Sequence, residues 1–213
     1  MSRPAVRAGR REEILQAAGE LFGGRGYHAT SMRELAQALE LRGSSLYAHI
    51  ASKEDLLWDI VERAADAFIA GADAVPDDLP PDERLRRLIA AHLRVIATEL
   101  DHAAVFFQDW VHLSEQRRAA MVERRDAYQE RFRLALEDGV RAGVFRVADV
   151  ELATLLVLSA LNFTYQWYDP GGRLSQEELA AGYADMLLGG LLARPEDPPA
   201  SAAAPGATEE GPR

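Results

Sequence analysis

Residues 30–57, TSMRELAQALELRGSSLYAHIASKEDLL, constrain this chain more than any other stretch. They spell a short helix, a tight turn, a second short helix and the capped start of a third. Ala36 stands where two crossing helices need a small side chain, and Leu35, Leu39, Leu41 and Leu46 have the spacing to knit those helices together from inside. Arg42, Gly43, Ser44, Ser45, Tyr47 and His49 are left on or beside the exposed face of the second helix. Such groups can bond phosphates or base edges. The pattern is that of a helix-turn-helix, whose second helix enters the major groove of DNA.

The remainder reads as helix almost throughout, punctuated by proline and glycine. A first helix is expected over about 10–23, with Ile14, Ala17, Ala18, Leu21 and Phe22 on one face. Thr30 or Ser31 caps the next, with Glu34 placed for a capping box. Ser52 opens a long helix reaching about residue 74, followed by helices over about 82–99, 102–112, 114–143, 149–167 and 175–193. No strand pattern or repeat interrupts them. The expected fold is all-α: a three-helix DNA-binding domain over 1–57, six helices forming a second domain over 58–194, and a Pro/Ala/Gly-rich tail over 195–213 expected to be disordered.

With 213 residues, 48% of them hydrophobic, the chain can build a sizeable core without staples. Cysteine is absent, which removes disulfides and thiolate chemistry. No apolar run reaches the ~18 residues of a membrane span, so a cytoplasmic protein without membrane contact is expected. The net charge of −10 argues mildly against nucleic acid until its distribution is considered. Residues 1–58 hold eight basic and seven acidic side chains, so the acidity lies outside the motif. The segment before Arg11 is purely basic; Arg3, Arg7, Arg10 and Arg11 suit a solvated arm or one that reaches a groove. Counterion release needs only a local basic surface.

The string L-Y-x-H-x-x-S-K-E-x-L-L, together with Ile14, Ala17, Ala18, Leu21, Phe22, Gly26, Tyr27, Thr30 and Ala36, resembles the TetR family of bacterial transcriptional repressors. At motif level the resemblance covers about sixty N-terminal residues; beyond them it rests on helix count, lengths and order. Two positions depart from the family pattern. Glu40 occupies the turn position that favours glycine, at a cost of about 1 kcal/mol for a left-handed backbone. Arg42 replaces the usual Ser cap of the second helix, which shifts the cap to Ser44 or removes it. In this geometry Arg42, Ser44 and Ser45 lie nearest the bases, where an arginine can grip guanine in bidentate fashion. Gly43 permits close backbone approach. Tyr47, His49, Lys53 and Thr30 are expected to bond phosphates. Packing of the small domain by Tyr47 and His49, and mere capping by the two serines, are the competing roles.

Enzyme chemistry finds no support: the sequence has no G-x-S-x-G, no Walker loop and no H-E-x-x-H. No cofactor or metal site is expected, since His92, His102 and His112 do not converge on one helix face. A ligand-free helical adaptor is a second alternative. Against it stands an aromatic concentration of Phe106, Phe107, Trp110, Tyr128, Phe132, Phe163 and Trp167, with Asn162 and Gln166 one turn apart among them. These residues are expected to line an effector cavity. Arg117, Arg118, Arg124, Arg125, Arg131 and Arg133 decorate the long helix between them, as a solvated face or as a phosphate-receiving mouth.

The last two helices resemble the dimerising pair of TetR-like proteins. VELATLLVLSALNF is apolar almost all round, and Gly182, Gly189 and Gly190 suit close backbone contact, although burial within one chain would use the same pattern. The resemblance implies a homodimeric repressor released from a pseudo-palindromic operator by a small molecule. NFTYQWYDPGGRLSQEELA further resembles the corresponding passage of regulators that answer to acyl-CoA thioesters. A neutral lipophilic drug or metabolite is the competing ligand.

Overall fold

A computed structural model describes residues 3–192. Among them lie nine α-helices and two short 3₁₀ turns. α1 (Arg3–Arg25), α2 (Met32–Ala38), α3 (Gly43–Tyr47) and the start of α4 (Lys53–Asp73) form the N-terminal unit. Its core is Ile14, Ala18, Phe22, Leu35, Ala36, Leu46 and Ile50, with Leu39 and Leu41 packed half-buried against it.

Local sequence accounts for these boundaries. Ser31 caps α2 in a full capping box: its hydroxyl accepts from Glu34 N–H at 3.2 Å while the Glu34 carboxylate accepts from Ser31 N–H at 2.7 Å. Glu40 adopts φ +53°, the left-handed conformation expected of the turn, and is the one non-glycine among the described residues to do so. Arg42 holds the N-cap position of α3 without a side-chain cap bond, so the helix starts at Gly43 uncapped. Ser52 caps α4, its hydroxyl accepting from Asp55 N–H at 3.0 Å.

α5 (Pro81–Thr98), α6 (Leu100–Gln108), the turn Trp110–His112, α7 (Glu115–Arg141), α8 (Val150–Asn162), the turn Phe163–Gln166 and α9 (Gln176–Leu191) complete the chain. α5 is central and buries Leu85, Leu88, Ile89, Leu93 and Ile96 against α4, α7 and α9. α4 runs unbroken from the small unit into the large one, its apolar stripe continuing from Leu56 to Ala72. Among the described residues no helix is long and apolar enough to cross a membrane.

Three expectations about elements change. α1 begins at Arg3, so the expected arm is helix: Pro4 sits in the first turn, where its missing N–H is harmless, and the Ala- and Arg-rich run favours helix. The expected 102–112 helix starts earlier, at Leu100, and ends at Gln108 in a 3₁₀ turn. α8 stops at Asn162, where the chain tightens to 3₁₀ geometry and carries Thr164 and Tyr168 into the core. The tail over 195–213 lies outside the described residues.

Candidate functional site

The first candidate surface is built by α2 and α3. The buried side of α3 is Leu46, which leaves Arg42, Gly43, Ser44, Ser45 and Tyr47 exposed on the opposite side and His49 half-buried behind them. A shallow groove between the two helices is lined by Met32, Arg33, Gln37, Leu41, Gly43 and Tyr47. Arg33 is exposed there and can donate to a phosphate beside α3. Motif spacing points to the second helix alone, whereas Arg33 belongs to the outward face of the first.

Two residues expected at this surface are turned inward. Thr30 is 2% exposed, and its hydroxyl donates to the carbonyls of Leu21 and Gly26 at 3.2 Å each. It locks the glycine turn after α1 rather than facing a phosphate. Lys53 donates to the Tyr27 carbonyl and lies 4.1 Å from the centre of the Tyr27 ring. Desolvation there pushes its ammonium below the usual lysine range.

The second candidate site is a cavity of about 390 Å³ in the large unit. α4 contributes Ala65, Phe68 and Ile69, α5 His92, α6 Phe106 and Phe107, and the following turn Trp110. α7 contributes Val122, Arg124, Arg125, Asp126, Tyr128 and Gln129, and α8 Leu155, Leu158, Ser159 and Asn162. The inner wall is aromatic: Phe68 packs on Phe106, Phe107 and Tyr128 with ring centres 5.4–5.9 Å apart. Of the residues expected here, Phe106, Phe107, Trp110, Tyr128 and Asn162 line the cavity. Phe132 is fully buried behind the wall, edge-on to His92. Phe163, Gln166 and Trp167 are exposed; the 3₁₀ turn after Asn162 rotates Gln166 and Trp167 off the cavity side, and Phe163 lies on the outer face. Tyr165 of the same turn is half-buried instead, stacked on Phe107 at 5.4 Å.

His92 is buried in this wall. Its Nδ1 lies 3.0 Å from the Tyr128 hydroxyl, while its Nε2 has no partner among the described residues. Burial drives the imidazole down to about pKa 3, so it is neutral, and raises the Tyr128 hydroxyl above the usual phenol value. The α7 arginines differ in what they meet; Arg118, for one, donates to the Val111 carbonyl at 3.4 Å. Arg117, Arg124 and Arg131 pair with Asp55, Asp66 and Asp73 and so staple α7 along α4. Arg133 pairs with Glu130 and Glu137 of its own helix. Arg125 has no ion-pair partner among the described residues and instead lies 4.6 Å over Trp110 at the cavity wall. Burial lowers its affinity for the proton.

The two units meet through α6. Its His102 packs so tightly on Gly19 of α1 that any side chain there would collide with the ring. His28 of the turn after α1 lies 3.0 Å from His112, and Arg63 of α4 bridges Glu12 and Glu99. The helix that carries Phe106 and Phe107 therefore also touches the DNA-binding unit.

An exposed three-helix reader joined by one continuous helix to an α-helical body with an internal aromatic cavity defines a class, the ligand-binding helix-turn-helix regulator. The sequence matches the bacterial regulatory proteins of the tetR family over residues 14–64, and the tetracyclin repressor-like C-terminal domain over residues 78–191. The chain belongs to the TetR family of transcriptional regulators. It is 30% identical over 185 residues to the transcriptional repressor KstR2 of Mycobacterium tuberculosis H37Rv, covering 85% of this chain and 92% of that one. The solved structure of KstR2, described as a ketosteroid transcriptional regulator, aligns with TM-score 0.83 at 28% identity over 87% and 96% of the two chains. PfmR of Thermus thermophilus aligns with TM-score 0.77 at 38% identity over 83% and 97%. AibR, solved with isovaleryl coenzyme A and operator DNA, aligns with TM-score 0.76 at 29% identity over 84% and 98%.

Proposed function

We propose that the protein is a cytoplasmic, homodimeric repressor whose operator affinity is lowered by an acyl-CoA thioester bound between α4 and α7. It acts by binding rather than catalysis. Residues 1–57 would read DNA through Arg42, Gly43, Ser44, Ser45, Tyr47 and His49, with Arg33 beside them, and residues 58–194 would hold the ligand and the dimer contacts. Thr30 and Lys53 would shape the reader from within.

The observation that carries the ligand assignment is the composition of the cavity. Its inner wall is aromatic and suits hydrocarbon. Asn162 offers an amide for a thioester carbonyl, and Arg125 stands unpaired over Trp110, where a phosphate could meet it. AibR, a relative over most of the chain, was solved with a CoA thioester and operator together. A neutral lipophilic ligand would fill the same apolar wall but would leave Arg125 without a use.

Dimerisation would use the outer faces of α8 and α9. Leu152, Leu156, Phe163 and Met186 are each more than 60% exposed, an apolar strip too large to leave in water. Gly182, Gly189 and Gly190 meet nothing within 4 Å, so any close backbone approach there must come from another copy.

Repression would end because the ligand favours one position of α4. The Arg124–Asp66 staple lies at the cavity wall, and a ligand anion that engages Arg124 competes with Asp66 for it. Any resulting displacement of α4 carries the small unit with it. Operator affinity must fall by the ligand's differential affinity for the two positions.

The test titrates an operator complex with matched acyl-CoA esters and free acids. Release by the ester at concentrations where the acid is inert is the expected result. Equal potency, or no response to any ester from short to long chains, overturns the thioester assignment.

A further inference from the structure

His92 presents a chemical group that the thioester reading leaves unused. It lies on α5 at the inner wall of the cavity, enclosed by the rings of Phe68, Phe107, Tyr128 and Phe132. One ring nitrogen, Nδ1, faces the Tyr128 hydroxyl at 3.0 Å, and the other, Nε2, is buried without a partner among the described residues. Buried polar atoms are nearly always paired, and this one belongs to a residue that lines the cavity, so a small shift of the ring on ligand entry would let it meet what the cavity receives.

The tautomer follows from acidity. A phenol is a far stronger acid than a neutral imidazole N–H, so Tyr128 donates to Nδ1 and the ring proton resides on Nε2. The imidazole stays neutral because it is buried. Nε2–H is therefore a donor, and it requires an acceptor.

The CoA head cannot share this position. Its phosphates belong at the more exposed Arg125, with the thioester at Asn162, which leaves the acyl group for the inner wall. A plain hydrocarbon there would bury the orphan donor still deeper. On the reading of the cavity as an acyl-CoA site, we propose that the acyl group itself carries an accepting oxygen, a keto or hydroxyl group distant from the thioester, which His92 Nε2–H binds. His92 then selects oxygenated acyl thioesters over saturated ones of equal length, and Tyr128 is the positioning residue that fixes its tautomer.

Calorimetric titration of the full chain tests this with paired probes: hexanoyl-CoA against 5-oxohexanoyl-CoA, and octanoyl-CoA against 7-oxooctanoyl-CoA. In at least one pair the oxo ester is expected to bind about tenfold tighter or more, the scale of one buried hydrogen bond. In His92→Phe that preference should collapse to within about threefold. Tyr128→Phe should reduce it while keeping a cavity of nearly the same shape. Nitrogen-15 spectra of histidine-labelled wild-type protein give a check that needs no variant: His92 should be the Nε2–H tautomer, and its Nε2 resonance should shift with the oxo ester alone. Equal affinities within every pair, a preference that survives in His92→Phe, or the Nδ1–H tautomer would each overturn the proposal while leaving the thioester reading intact. Failure of all four esters to bind would remove the thioester reading and this proposal together.

Discussion

Lys53 is the one lysine of the chain, and it illustrates how a side chain's role depends on neighbours far away in sequence. A lysine at the head of α4, beside a reading helix, suits a phosphate contact by position alone. Its stem is long enough to turn either way, and the deciding partner, the Tyr27 carbonyl and ring, lies 26 residues earlier. Lys53→Ala should therefore destabilise the fold by about 1–2 kcal/mol through the lost cation–π contact and hydrogen bond. The salt dependence of DNA binding should keep its slope, because no phosphate contact is lost. Arg42→Ala should do the reverse, leaving stability unchanged within about 0.5 kcal/mol and relaxing base preference. Urea denaturation and salt-titrated anisotropy separate the two. A salt slope reduced by about one unit in Lys53→Ala would return that residue to the DNA surface.

Secondary structure is most legible where its signals are local. The capping box of Ser31 and Glu34, the Ser52 cap and the Ser175–Glu178 box of α9 lie where the sequence indicates, since each needs only residues three apart. The left-handed Glu40 is legible for the same reason. The cavity side of the chain after α8 is not. An α-helix advances about 100° per residue and a 3₁₀ turn about 120°, so four residues past Asn162 the phase differs by about 80°. That shift faces Gln166 and Trp167 outward and sets Tyr165 against Phe107, while Phe163, only one residue past Asn162, is exposed on the outer face that it shares with α8. The change is driven by burial of Thr164 and Tyr168 against the rest of the molecule, which no local pattern reports. His92 escapes sequence reasoning because a single histidine on an apolar face reads as ordinary core. The outward turn also enlarges the apolar strip of α8 and α9, which makes the assembly testable. Gly190 is exposed with open space around it, so Gly190→Arg fits the single chain without disturbing it. Sedimentation should find the wild type dimeric at micromolar concentration and Gly190→Arg monomeric with unchanged helical content. A dimer that persists in Gly190→Arg would move the interface elsewhere.

At the scale of the whole molecule, the reader, the cavity and the apolar strip occupy three separate regions, and α4 with α6 joins the first two. The near-neutral charge of residues 1–58 within a chain of net −10 leaves the acidic surface away from the proposed DNA contacts. In a symmetric dimer the two reading helices must enter successive major grooves on one side of the duplex. Selection of duplex DNA from a randomised pool by the full-length protein examines this claim most directly, because it assumes neither the operator nor the ligand. Salt-sensitive enrichment of one two-fold symmetric sequence is expected, its half-sites centred about one helical turn (~34–36 Å) or a whole multiple of it apart. No enrichment at any salt concentration, or a site without two-fold symmetry, would contradict it.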